Sequence, residues 1–149
     1  MLARALVERG HAVRGTTRDA SRRPAIEAAG AQCVVADPDR VGTLIPALEH
    51  VTVAVILLGS AQGDPTALTE LHGPRLETLA SRMIDTTIHG VIYEAQGTVD
   101  PALLAGGAAL IRAFGARSRA RVALLEADPI EPQSWLHEAL ATVEAVIGD

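Results

Sequence analysis

The chain has 149 residues, 48% hydrophobic and 21% charged, the balance of a single globular domain spanning 1–149. With three aromatic residues, Tyr93, Phe114 and Trp135, no lysine, and a net charge of -5, it lacks the basic footprint and stacking faces that nucleic acid requires. The missing lysine also excludes a Schiff base and a phosphate-loop lysine. The lone Cys33 excludes an intrachain disulfide and paired-cysteine metal or redox motifs.

Leu2, Leu6 and Val7 share one side of a short helix that Gly10 ends. His11 to Thr17 reads as a strand, Asp19 to Ser21 as capping residues, and Pro24 as the first turn of a helix closing at Gly30. Cys33 to Ala36 is a compact buried strand, followed by Asp37-Pro38 and by Asp39, expected to cap a short helix running through Leu44 to Leu48. Val51 to Leu58 is apolar apart from Thr52, the pattern of a central parallel strand covered on both faces.

Gly59 to Asp64 is a small-residue loop, and Pro65 opens a helical pattern to Met83 that Gly73-Pro74 should kink or split. A strand at Val91 to Glu94, a helix from Pro101 to Ala116, a strand at Arg121 to Glu126 and a helix from Pro132 to Ile147 complete the series. About five strands and six helices in alternation predict an α/β fold, a doubly wound parallel sheet with right-handed crossovers. No apolar run is long enough to span a bilayer, and the charged N-terminus does not read as a signal peptide, so a cytoplasmic protein is expected.

The run from Leu2 to Asp19, continued by Val34 to Asp37, Val53 to Gly59 and Gly90 to Tyr93, resembles the extended and atypical short-chain dehydrogenases. These are the NAD(P)-binding Rossmann-like epimerase and NmrA-like group. The resemblance implies an initial strand and a GxxGxxG loop immediately ahead of Met1, where backbone amides would hold a pyrophosphate. Two explanations stand: Met1 is internal to a longer product, which is favoured, or the first strand has been lost. The absent strand belongs between the first and third strands of this chain, so its loss would leave two edges unpaired.

By the same resemblance, Thr17 and Arg18 would be cofactor-binding, with Arg18 against an adenosine 2′-phosphate, to which an arginine offers a permanent bidentate charge; the plainer reading of Arg18 is an exposed arginine in an arginine-rich chain. Asp37 would lie near the adenine, although Asp-Pro-Asp is equally an ordinary turn. Leu58, Gly59 and Tyr93 would lie at the carboxyl edge of the sheet, where ligands of open α/β folds bind. The family's Tyr-x-x-x-Lys pair has no counterpart. The expected segment reads Leu103 to Ala108, and Ala95 and Gln96 stand where a serine would follow Tyr93.

No catalytic residue is therefore assigned. Glu94 is the one acid/base candidate, as a half-buried carboxyl with a raised pKa, against the plainer reading of a surface residue at a strand end. The five histidines are scattered and imply no metal site, and no nucleophile elbow surrounds Ser60. His72-Gly73-Pro74-Arg75 resembles the place where the family carries an Asn-x-x-Gly helix kink, which implies His72 as a polar support there; the plainer reading is a histidine beside a Gly-Pro break. Trp135 reads as core packing.

The expected function is NADP or NAD binding by a non-catalytic sensor or scaffold. The alternatives are a dinucleotide-dependent reductase or epimerase using Glu94, and a structural module that binds no nucleotide and associates through a sheet edge. A dinucleotide and a second copy of the chain, as a homodimer, are the partners considered.

Overall fold

A computed structural model describes residues 1–148. The chain folds as α1 (Leu2–Glu8), β1 (Arg14–Thr17), α2 (Arg23–Ala28), β2 (Gln32–Val35), α3 (Ile45–Leu48), β3 (Val53–Ile56), α4 (Pro65–His72), α5 (Pro74–Met83), β4 (Gly90–Glu94), α6 (Pro101–Arg117), β5 (Arg121–Leu125) and α7 (Pro132–Ile147). Single 3-10 turns at Ala20–Arg22 and Val41–Leu44 lead into α2 and α3. The helical pattern from Pro65 divides at Gly73, because Pro74 cannot donate a backbone hydrogen bond and opens α5 instead.

All strand pairs are parallel, but the strands form two sheets: β1 with β2, and β3, β4 and β5 in that order. Two apolar layers cover them. One joins α5 and α6 to β4 through Leu76, Leu79, Met83, Tyr93, Ile111 and Phe114, and also takes Val34 and Ala36 from the β2 region. The other joins α1 and α7 through Leu2, Leu6, Ile92, Ala139 and Val143, with Val13 before β1 and Val53 and Val55 of β3 against it. Both layers thus continue across the break between the sheets, as expected of a doubly wound α/β fold.

The expectation that Val51 to Leu58 is a central strand covered on both faces is not met. β3 is the edge of its sheet, with Val53, Ala54 and Val55 only partly buried, and the fully buried strand is β4. A strand so apolar is half-exposed because no neighbour lies along its open side. β2 is likewise an outer strand: Cys33 and Ala36, whose side chains lie on opposite faces, are both buried, whereas Val35 is 41% exposed.

A second correction concerns the turn after β2. Asp39 caps no helix: the carboxylate of Asp37 accepts the Asp39 N–H at 2.9 Å, and Thr43 Oγ1 takes the Asp37 N–H at 2.8 Å. The Asx turn formed by Asp37 leaves the Asp39 side chain to face Arg18. By contrast, Asp19 caps the turn after β1, accepting the Ser21 N–H at 2.9 Å.

Candidate functional site

The carboxyl ends of the strands carry two polar groupings. The first surrounds the end of β1, where a cavity of about 670 Å3 is lined by Met1 and Ala3, by Gly15 to Asp19, and by Arg22, Ala25, Ile26 and Ala29. Thr17 Oγ1 holds the turn, accepting the Asp19 N–H at 3.1 Å. Hydrogen bonds from Ser21 keep the Asp19 carboxyl below its usual pKa. Arg18 is well exposed and meets Asp39 at 3.8 Å, a pair that costs little to open in water. Thr17 and Arg18 thus line one cavity, and Asp37 is joined to them only through the turn that presents Asp39.

The second grouping is buried and binds the ends of β3 and β4 together. Leu58 C=O and Gly59 N–H belong to one peptide group. His72 Nε2 donates to that carbonyl at 3.0 Å, and Glu94 Oε1 accepts that N–H at 2.9 Å. A carbonyl can only accept, so His72 is protonated on Nε2, and Nδ1 accepts the Tyr93 hydroxyl at 2.6 Å. The other Glu94 oxygen takes the Trp135 indole N–H from α7 at 2.8 Å. Gly59 is needed where it stands, since a Cβ would strike the Gln96 carbonyl and the Glu94 side chain.

Burial decides the electrostatics. His72 is 2% and Glu94 4% exposed, and Tyr93 is fully buried. Desolvation pushes the Glu94 pKa up, with the Gly59 and Trp135 hydrogen bonds opposing it. It pushes His72 down, against the hydrogen bond to Leu58, and Tyr93 far up, with the Glu94 charge adding to the effect. Glu94 is therefore not a surface residue. Its pKa moves in the expected direction, but both oxygens are already occupied by protein N–H groups.

Leu58, Gly59, Tyr93 and Glu94 are brought together, and none of them borders the cavity at β1. Trp135 packs in the core, as its helical spacing implies, and its buried indole N–H finds the partner such a group requires in the Glu94 carboxylate. No cluster of histidine, cysteine and carboxylate side chains able to hold a metal occurs among the described residues. No helix among them is long and apolar enough to cross a membrane.

No protein-family model and no curated protein matches the chain. Solved structures do. A short-chain dehydrogenase/reductase superfamily protein from Agrobacterium tumefaciens with bound NAD aligns with a TM-score of 0.67 at 14% identity, over 84% of this chain and 44% of that one. UDP-glucuronic acid 4-epimerase from Bacillus cereus in complex with NAD aligns at 0.64 and 13% identity, over 85% and 51%. BdcA from E. coli aligns at 0.67 and 15%, over 98% and 83%. The chain spans about half the length of the first two. At such identities the likeness is one of architecture: this chain has the Rossmann-like parallel α/β fold of NAD(P)-dependent reductases and epimerases.

Proposed function

We propose that this chain is the nucleotide-binding part of a non-catalytic, NmrA-like protein, a sensor or scaffold that takes up NADP(H) or NAD(H). The observation that carries this reading is the cavity at the carboxyl end of β1, with Arg18 and Thr17 in its wall and a weak, exposed ion pair that a phosphate could replace. Arg18 would hold a 2′-phosphate and Thr17 would support the ribose, with Asp37 behind the turn. The bound dinucleotide would supply a hydride donor or acceptor.

The non-catalytic assignment is supported by the state of the polar side chains at the strand ends. Tyr93 and Glu94 spend their hydrogen-bonding capacity on His72, Gly59 and Trp135, and no lysine is present to lower the pKa of a tyrosine. In a thermal melt, NADPH should raise Tm by mass action, and Arg18→Ala should weaken NADPH more than NADH. Equal loss for the two cofactors would overturn the 2′-phosphate role. A melt unchanged by either cofactor, at concentrations up to millimolar, would overturn the dinucleotide reading itself.

A further inference from the structure

At the amino-terminal edge of the larger sheet, α5 and α6 end near the starts of β4 and β5, and a cavity of about 220 Å3 opens between them. Its apolar lining includes Met83, Ile88 and Phe114, buried residues of the layer that covers β4. Its polar lining comes from two connections: Thr86, Thr87 and His89 ahead of β4, and Ser118 and Arg119 ahead of β5. It shares no residue with the cavity at the carboxyl end of β1.

The hydrogen bonds of these side chains decide what the cavity can hold. Thr86 Oγ1 donates to the Met83 carbonyl and Thr87 Oγ1 to that of Val51, each at 2.7 Å, so both threonine protons are spent. Ser118 Oγ accepts the Ala120 N–H at 3.2 Å, which leaves its own proton to donate. Among the described residues, neither the Arg119 guanidinium nor the His89 ring has a partner. The ends of two helices would by themselves favour a cation. Yet the Met83 and Phe114 carbonyls are taken by the Thr86 and Ser118 N–H groups, at 3.2 and 3.0 Å, and Gly115 to Arg117 do not border the cavity. No carboxylate lines it either: Asp85 is exposed and stands outside, and residues 101–125 hold four arginines and no aspartate or glutamate. What its side chains leave unspent is one cation and a set of donors beside apolar surface.

From this we propose that the cavity is a binding site for a small monocarboxylate with a compact apolar body, an aryl or branched-chain acid. The fork of Arg119 takes the carboxylate, the Ser118 hydroxyl adds a donor, and the body covers Met83, Ile88 and Phe114. A volume below the roughly 300 Å3 at which ordinary ligand pockets begin limits the guest to about ten non-hydrogen atoms. One guanidinium matches one negative charge, and apolar surface offers nothing to a bare phosphate ion. An acid held there ties the connection ahead of β4 to the connection ahead of β5. The inference stands apart from any nucleotide.

Benzoate is the probe, and amide NMR reads where it binds. Titration should move the amides of His89, Ser118, Arg119 and Ala120 together, with a Kd of about a millimolar, as suits so small a ligand. Benzamide, of the same shape without the charge, should bind about tenfold more weakly or worse, and inorganic phosphate should leave these amides unmoved. Arg119→Gln should weaken benzoate about tenfold with Tm unchanged, since the side chain is exposed and unpaired. Arg117→Gln, which removes a neighbouring charge outside the cavity, should change the affinity by less than about twofold. Should Arg119→Gln lower Tm, the comparison of benzoate with benzamide on the unaltered chain decides.

Equal affinity for benzamide and benzoate would overturn the proposal, because the charge would then go unrecognised. Equal loss from Arg117→Gln and Arg119→Gln would overturn it too, by showing a diffuse attraction to the arginines. Amides that stay still up to about 20 mM benzoate, well past the affinity expected of such a ligand, would show that the cavity binds no such acid.

Discussion

The peptide between Leu58 and Gly59 is gripped at both polar atoms, its oxygen by His72 and its hydrogen by Glu94. Removing either grip leaves a buried group unpaired, at a cost of about 1–3 kcal/mol. Glu94→Gln should fall in that range, because one amide oxygen cannot accept from both Gly59 and Trp135 and the amide NH2 must face one of them. Urea denaturation measures it. The two groups also oppose one another in pH.

Glu94 has a raised pKa when folded, so the native state holds its proton longer; its contribution is full below the unfolded value near 4.5 and is lost as pH rises through the folded value. His72 has a lowered pKa, so its contribution is full above about 6.5 and is lost as pH falls through the folded value. Glu94→Gln should therefore abolish a decline in stability that begins above pH 4.5, and leave the acid loss due to His72 in place. A urea series from pH 4 to 8 on both proteins checks the sign. An unchanged slope above pH 4.5 would show that Glu94 does not titrate there. In the sequence, Glu94 and Tyr93 were legible as strand-end polar residues, but not the clamp, which needs the helix break at Gly73 to place His72 against β3.

Two adjacent glycines in α6 separate helix propensity from packing. A Cβ on Gly106 would meet nothing within 4 Å, so Gly106→Ala should stabilise by up to about 1 kcal/mol through propensity alone. A Cβ on Gly107 would fall on the Tyr93 hydroxyl, and that overlap should outweigh the propensity gain, for a net loss of about 1–2 kcal/mol. Tyr93→Phe should then soften the Gly107→Ala penalty, and a double-mutant cycle by chemical denaturation reads the coupling. An additive cycle would mean that α6 and β4 do not touch there. Helices and strands were legible from periodicity, and the Gly-Pro division of α4 from α5 from its residues. The position of β3 was not, because an apolar run shows that a strand wants covering and says nothing of whether its neighbour is there.

For the whole molecule the question is what unites two separate sheets. Besides the shared apolar layers, Arg14 reaches from the start of β1 to the carbonyls of Ala47 and Glu49, at 2.9 and 2.7 Å, while its Nε donates to Gln32 at 3.0 Å. One guanidinium thus ties both strands of the smaller sheet to the connection leading into β3. Arg14→Met keeps much of the apolar stem and removes these bonds, and should cost about 1–2 kcal/mol given their partial exposure. A loss no larger than that of Arg117→Met, at the last turn of α6, would leave the union of the sheets to the apolar layers alone. The parallel α/β architecture was legible from the alternation of elements. The tie was not, since nothing distinguishes Arg14 from twelve other arginines until the fold brings Ala47 and Glu49 beneath it.

Trp135 is the only tryptophan in the chain, and its indole N–H ends on the carboxylate that holds Gly59. Tryptophan emission from this chain, excited beyond the absorption of Tyr93, therefore comes from a single, unlabelled probe seated at the junction of β3, β4 and α7. Ligand uptake, carboxyl protonation or a loosening of the Gly59 turn would each register as a change in one fluorescence band, with no other indole to dilute the signal.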